Sequence, residues 1–268
     1  TGNKDSTWEE LKKSLSQIVA SGISGFPFTG CDVGGFNGSP SDELIIRWFQ
    51  LAAWTYPFFR QQSSSKSARR VPYLYNGDSF TAIMTAITDR YKHILVWYNA
   101  ARIANLTGFP IIKPLWMFFN YTNNFPLGHS IDDQVILADT FMIAPILNKN
   151  QTIRFVVKPP RRWYCYPGGF ELQESTSFLV TKMDIPIFLS GGKIILVYQE
   201  IGSTAIKTLH KENLDMFIAL DEDEKAYGEV YIDDGISYSY LNGSFINVKM
   251  SLKKGILTIQ HDGQFGSS

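Results

Sequence analysis

The sequence lacks the features that mark several large classes of protein. Lys and Arg together number 25, and so do Asp and Glu. This balance predicts no basic surface for nucleic acid or for an anionic membrane. No apolar run reaches the ~18 residues that indicate a membrane span, and no signal-peptide pattern is present. Metal-ligand clusters, phosphate loops and dinucleotide fingerprints are absent too, so the sequence predicts neither a metal nor a cofactor.

Cysteine is also scarce, since Cys31 and Cys165 are the only two and lie far apart. They are interpreted as small buried side chains, and a disulfide between them stays open. Apolar residues are abundant: hydrophobic residues make up 44% and aromatic residues 14% of the 268 positions. Such a chain is predicted to fold around a substantial core, as one large domain or two smaller ones.

Residues 28–75 are the part of the sequence around which the rest is organised. A short apolar strand over 26–30 is predicted to end near the carboxylate of Asp32, followed by Gly34 and Gly35. Residues 39–42 read as a capping box before a helix that is apolar on nearly every side, and Arg60 follows that helix. A polar residue at the C-terminal end of a strand is where barrel enzymes and open α/β sheets place their chemistry.

The remaining pattern divides near residue 148. Before it, we predict a helix from Ser6 to about Gly22, a long helix over 78–104, a buried last barrel strand within 110–119 and a short helix over 131–138. After it, short runs with period-two alternation are separated by turns, which indicates an all-β part. An apolar strand over 141–146 precedes this change, and the alternating runs cover residues 153–158, 178–182, 194–198, 216–220, 229–232, 237–241, 245–252 and 256–260.

Three motifs carry a resemblance to a known family: GCDVGGF at 30–36, EL.IRW.Q..A...PFFR at 43–60 and RR.PYL at 69–74. In combination they resemble the late catalytic barrel of glycoside hydrolase family 31, and the likeness covers nearly the whole chain. It implies an α/β plus all-β fold, the C-terminal portion of a (β/α)8 barrel followed by antiparallel β-sandwich domains. The predicted domains are 1–148 for the barrel portion, 149–205 for a proximal β-domain and 206–268 for a distal one.

The resemblance also implies where the catalytic carboxyl groups belong. Retaining glycosidases need a nucleophile and a general acid/base. The nucleophile motif, W-x-D-M-N-E, does not occur, and it is expected upstream of residue 1. The acid/base motif, T-G-D-N-T-A-x-W, aligns with residues 1–8, and Asn3 holds the aspartate position. An amide cannot donate a proton as a carboxylic acid can. Asp5 is a weak substitute, since two residues along a loop can move a carboxyl group by ~7 Å.

Four further positions are implied to bind substrate. Asp32 and Arg60 match the polar network around the family's pocket, Phe36 matches its wall, and Gln62 replaces the family's histidine. Each has a structural alternative. Asp32 is compatible with a turn residue, Arg60 with a buried ion-pair partner and Phe36 with core packing. The pairs at 69–70 and 161–162 read as solvated or ion-paired arginines.

Five N-x-S/T sequons occur, against about one or two expected by chance in a chain of this length. The excess favours a protein of the secretory pathway, either in the endoplasmic reticulum lumen or extracellular. Glycans are predicted at four of them and not at Asn37, which lies next to the glycine loop and before Pro40. The four are Asn105, Asn120, Asn150 and Asn242.

Three functions remain open at this point. The first is a working, retaining exo-α-glucosidase that removes terminal α-linked glucose. The second is a pseudoenzyme that serves as a structural or binding subunit of a larger assembly, and the third is a glycan-binding module. The implied partners are an α-glucoside or glycan and an upstream part of the same polypeptide, or a separate chain, that completes the barrel. The altered acid/base position favours a catalytically degenerate member of the family.

Overall fold

The computed structural model describes residues 4–119 and 130–263. Helices dominate the first part and strands the second. The helices are α1 (Trp8–Ile23), α2 (Asp42–Thr55), α3 (Gly77–Lys92), α4 (Ile94–Thr107), α5 (Leu115–Phe118) and α6 (Ala205–Leu209), with 3-10 turns at Pro72–Leu74 and Ser239–Asn242. None of the helices in the described ranges is long and apolar enough to cross a membrane.

Helix α2 forms the centre of the main core. All residues from 44 to 55 are buried, as its uniformly apolar sequence predicts. The helix begins later than expected, because Ser41 and not Ser39 is the N-cap and accepts a hydrogen bond from the Leu44 amide. Helix α1 likewise begins with Thr7 as its N-cap instead of Ser6. The hydroxyl of Ser6 makes tertiary contacts instead, which the local sequence could not show.

The long helix predicted over 78–104 is two helices. His93 lies between α3 and α4 with a backbone of φ −94° and ψ 18°, outside the helical range. Its ring contacts the Asp89 carbonyl oxygen and the Tyr166 hydroxyl, the latter at 2.8 Å. Helix α4 ends at Gly108, whose φ of 75° is the left-handed conformation that glycine adopts at helix ends.

Twelve strands lie in the described ranges. They are β1 (Ile112–Pro114), β2 (Val135–Leu137), β3 (Phe141–Ile143), β4 (Ile153–Val156), β5 (Trp163–Cys165), β6 (Thr176–Leu179), β7 (Ile187–Ser190), β8 (Lys193–Tyr198), β9 (Leu214–Ala219), β10 (Ala226–Ile232), β11 (Ile246–Lys253) and β12 (Ile256–Asp262). Two five-stranded sheets have the orders β1-β2-β3-β7-β5 and β12-β11-β10-β8-β9, and β4 pairs with β6. All pairs are antiparallel except β8 with β10, whose one bridge is parallel.

Four elements differ from the sequence predictions. Residues 131–138 contain strand β2 and not a helix, since a short apolar run does not distinguish the two. β1 pairs antiparallel with β2, so it is not a parallel barrel strand. Residues 26–30 form no strand, and Phe26 is 71% exposed. The run 237–241 is mostly a 3-10 turn.

Strands β5 and β7 were not predicted from the sequence. The first sheet combines β1–β3 with β5 and β7, and therefore uses strands from both sides of residue 148. The predicted domain limits at 148/149 and 205/206 stay predictions.

Candidate functional site

Asp32 and Arg60 lie side by side where two short segments run parallel. An isolated parallel bridge joins them, and the Val33 amide donates to the Arg60 carbonyl oxygen at 2.8 Å. The Arg60 Nε donates to Asp32 Oδ1 at 2.6 Å. The Asp32 side chain is 7% exposed and that of Arg60 61% exposed. This hydrogen bond and then the carboxylate's charge raise the pKa of Arg60. Arg60 is therefore an ion-pair partner, as the structural alternative stated, but it is exposed and not buried. Its terminal nitrogens are free of Asp32 and can contact a ligand.

The glycine loop after Asp32 requires its two glycines. Gly34 and Gly35 have φ values of 83° and 80°, which side chains rarely tolerate. A Cβ added at Gly34 would lie 2.5 Å from Ile45 Cδ1, and one at Gly35 would lie 2.8 Å from the carbonyl carbon of Asp5. The loop therefore packs on α2 on one side and on the chain segment that precedes α1 on the other.

The segment before α1 is fixed to the glycine loop by backbone hydrogen bonds. The amides of Phe36 and Asn37 donate to the Lys4 carbonyl oxygen at 2.7 and 3.0 Å, and the Ser6 amide donates to the Asn37 carbonyl oxygen at 3.0 Å. Lys4 is buried and its Nζ lies 3.0 Å from Glu10. Residues 4–6, which directly follow Asn3 in sequence, are thus held beside the loop. Asn3 itself lies outside the described residues.

The remaining predicted site residues lie on or near this loop. Phe36 is half-buried, and its carbonyl oxygen accepts from the Ser64 amide at 2.8 Å, which brings the loop carrying Gln62 against it. Gln62 is exposed. Asp5 is exposed too, and its Oδ1 accepts from Asn37 Nδ2 at 3.2 Å. The structure therefore brings Asp32, Arg60, Phe36 and the Gln62 loop into one neighbourhood.

Arg70 joins the segments of this neighbourhood, and sequence reasoning missed it. Its side chain is fully buried. Its Nε donates to the Gly35 carbonyl oxygen at 3.1 Å, and one terminal nitrogen donates to Ser6 Oγ at 2.9 Å and to the Gly38 carbonyl oxygen at 2.7 Å. The other terminal nitrogen donates to the Ala68 carbonyl oxygen. The prediction that Arg70 is solvated or ion-paired is therefore wrong, because its buried guanidinium donates only to neutral oxygens. Its place in the RR.PYL motif was the only available signal.

The remaining predicted residues are the two cysteines and the glycan acceptors. Cys31 and Cys165 are free thiols. Three of the four predicted glycan acceptors are exposed, namely Asn105, Asn150 and Asn242, and Asn120 lies outside the described residues. Within 4–119 and 130–263, no group of three or more His, Cys, Asp or Glu side chains is placed to hold a metal ion.

Two family models match the chain. The model described as "Glycosyl hydrolases family 31 TIM-barrel domain" matches residues 1–100. The model described as "Glycosyl hydrolase family 31 C-terminal domain" matches residues 108–195. The chain belongs to glycosyl hydrolase family 31. The recognised resemblance and the predicted fold class are therefore confirmed: the chain contains a portion of the family's TIM barrel and its β-rich C-terminal part.

Individual relatives agree with this assignment. A "Probable glucan 1,3-alpha-glucosidase" of Arabidopsis thaliana is 32% identical over 265 residues, covering 96% of this chain and 28% of the relative. "Glucosidase 2 subunit alpha" of Saccharomyces cerevisiae is 30% identical, covering 96% and 27%. The crystal structure of an "ER glucosidase II heterodimeric complex" superposes with a TM-score of 0.92 at 32% identity, covering all of this chain and 29% of that chain. The chain thus spans about 28% of the length of such relatives.

Proposed function

We propose that this chain contributes the sugar-binding wall of an α-glucosidase-like protein whose proton donor has been lost. The substrate class is a glycan or glycoside that ends in α-linked glucose. The observation that carries the proposal is Asn3 at the family's acid/base position, directly before a segment that is still docked on the glycine loop. The relative named as a probable glucan 1,3-alpha-glucosidase supports the substrate class.

The chemistry divides between binding and proton transfer. Arg60, oriented by the buried Asp32, can donate hydrogen bonds to sugar hydroxyls, and Gln62 can both donate and accept them. Phe36 offers an apolar surface to the sugar ring. Departure of the aglycone oxygen requires a proton, and the amide of Asn3 has none to give at neutral pH. Loss of a positioned general acid typically costs ~10²–10⁴ in rate.

The second candidate is a non-catalytic subunit that keeps the scaffold for binding or assembly. One relative forms a heterodimer of a catalytic subunit with the binding domain of a regulatory subunit. The intact Asp32–Arg60 pair is compatible with glycan binding without turnover. For both candidates we propose the secretory pathway as the location, with the rest of the barrel supplied by the same polypeptide or by a second chain.

Hydrolysis of maltose by the barrel-complete protein, followed as released glucose, tests the proposal, because a sugar alkoxide leaves only when it receives a proton. We expect slow turnover that rises by about 10²-fold or more in Asn3→Asp, because the variant regains a proton donor. Asp5→Asn is the matched control for rescue by the neighbouring carboxyl group, and it should leave the rate unchanged. Fast turnover by the unaltered protein with no gain in Asn3→Asp would show that the proton donor lies elsewhere. Calorimetric titration with maltose distinguishes the second candidate from the first. A non-catalytic subunit binds the sugar, but its Asn3→Asp variant gains no activity.

A further inference from the structure

A cavity of about 530 Å³ lies between the α3–α4 junction and the strands of both five-stranded sheets. Trp54, Asp89 and His93 line it from the helical side, and Tyr166, directly after β5, and Phe217 of β9 line it from the opposite side. Its volume falls in the range of ~300–1,000 Å³ that is usual for small-molecule sites. It shares no residue with the Asp32–Arg60 neighbourhood, so an occupant would be independent of glucoside binding.

The cavity wall is unusually rich in aromatic rings. The centroids of Tyr166 and Phe217 are 5.0 Å apart, and those of Trp54 and Tyr166 are 6.5 Å apart. Phe178, Phe188 and Tyr198 add further rings to the lining. Aromatic faces attract cations through their electron-rich centres and accommodate apolar groups equally well.

Negative charge is concentrated in the same cavity. Asp89 and Asp215 line it, and the structure gives the Asp89 carboxylate no hydrogen bond or ion pair with any other described residue. Asp215 accepts one hydrogen bond, from Gln199 Nε2 at 2.6 Å. A third carboxylate, that of Asp184, accepts hydrogen bonds from the amide and the hydroxyl of Thr181. Lys92 is the one basic side chain in the lining, so the charge of the cavity is net negative.

The carboxylates of Asp89 and Asp215 act on the same part of the cavity wall. Burial and then the charges of Asp89 and Asp215 raise the pKa of Tyr166 well above its ordinary value. Burial also raises the pKa of Asp89 to about 6, which leaves it mainly ionised at neutral pH. The neighbouring His93 is neutral there, because burial lowers its pKa to about 4. A half-buried carboxylate without a hydrogen-bond partner is costly, and the charge of Lys92 offsets only part of that cost. A bound cation would relieve more of it.

We propose that this cavity binds a small organic cation, with its ammonium group beside Asp89 and its apolar body among the aromatic rings of Tyr166, Phe217 and Trp54. The aromatic lining selects for an organic body over a bare metal ion, and no group of described His, Cys, Asp or Glu side chains offers a metal site. The ligand class is therefore a primary or quaternary amine with an aryl or alkyl substituent.

Calorimetric titration of the full chain at neutral pH with 2-phenylethylamine tests the proposal, and the neutral isostere 2-phenylethanol is the comparison ligand. We expect the amine to bind about tenfold more tightly than the alcohol, or better. Asp89→Asn keeps the shape of the side chain and should remove most of that preference. Asp78→Asn changes an exposed carboxylate on the same helix, outside the cavity, and should leave it intact.

Two results would overturn the proposal. One is the absence of saturable heat with millimolar amine, and the other is equal affinity for the amine and the alcohol. If Asp89→Asn unfolds, Asp215→Asn replaces it, because Asp215 is exposed and its replacement does not disturb the core. An unchanged preference in a folded variant of both carboxylates would place the amine elsewhere on the protein.

Discussion

The buried guanidinium of Arg70 is the most testable structural feature of the candidate site. It donates to the carbonyl oxygens of Gly35, Gly38 and Ala68 and to the hydroxyl of Ser6. These partners belong to the segment before α1, to the glycine loop and to the loop after Arg60. Arg70→Met keeps much of the side-chain volume but removes every donor, so the three segments lose their common partner.

The expected cost follows from those contacts. A hydrogen bond to a charged group contributes ~1.5–3 kcal/mol, but bonds from one side chain do not add independently. Carbonyl groups left buried without donors keep a desolvation cost, while the guanidinium's own burial cost disappears. We therefore expect a loss of about 3–5 kcal/mol, which is less than the sum of four independent bonds of this kind. For a domain of this size, ~2–4 °C per kcal/mol gives a fall in Tm of about 6–20 °C.

Differential scanning calorimetry measures this fall, and Arg69→Met is its matched control. Arg69 is the exposed neighbour of Arg70 in sequence, so its replacement should change Tm by less than about 2 °C. Arg70→Lys should fall between the two, since it keeps a charge but lacks the planar fork. Equal Tm values for the two methionine variants would refute the reasoning, because they would show that the buried contacts contribute nothing net.

Two further predictions concern acid stability and glycosylation. Since burial lowers the pKa of His93 to about 4, unfolding takes up a proton there and acidification below ~6.5 destabilises the fold. The raised pKa of Asp89, about 6, opposes this, because the folded state takes up the proton first. Between pH 7 and pH 4, the free energy of unfolding of Asp89→Asn, measured by urea titration, should therefore fall more steeply than that of the unaltered protein. The same slope for both proteins would contradict the raised pKa of Asp89. When the protein is expressed in a secretory host, each of the variants Asn105→Gln, Asn150→Gln and Asn242→Gln should lose the mass of one glycan. The variant Asn37→Gln should keep the mass of the unaltered protein. Endoglycosidase treatment that leaves the mass unchanged would argue against the secretory assignment.

Elements whose signal is local could be predicted from the sequence. Helix α2 is one, because its apolar residues cover every face and only a buried helix accepts that pattern. The turn between β11 and β12 is another. Lys254 and Gly255 have φ values of 49° and 74°, which is the two-residue hairpin geometry that a residue followed by Gly favours. Asp32 and Arg60 form a hydrogen-bonded pair, which no local pattern indicates, and their part in sugar binding stays a prediction.

Features that depend on distant contacts could not be predicted. Ser6 fits a helix N-cap by its local sequence, yet its hydroxyl lies 2.7 Å from the Gly34 carbonyl oxygen and 2.6 Å from that of Asn37. Its tertiary contacts therefore override its capping propensity, and Thr7 takes the cap. The break at His93 has the same origin, since it accompanies contact with Tyr166, 73 residues away. No window of sequence contains both partners.

The way the site is held together explains why its scaffold and its chemistry can change separately. The contacts that fix residues 4–6 to the glycine loop are mostly backbone hydrogen bonds, and Lys4 is anchored through Glu10. None of these described contacts requires a carboxyl group at position 3. An Asp-to-Asn change there removes a proton donor without removing any of these supports, so the fold is expected to survive it. Belonging to the family therefore establishes the architecture, while the proposed loss of activity rests on position 3, which the Asn3→Asp variant tests.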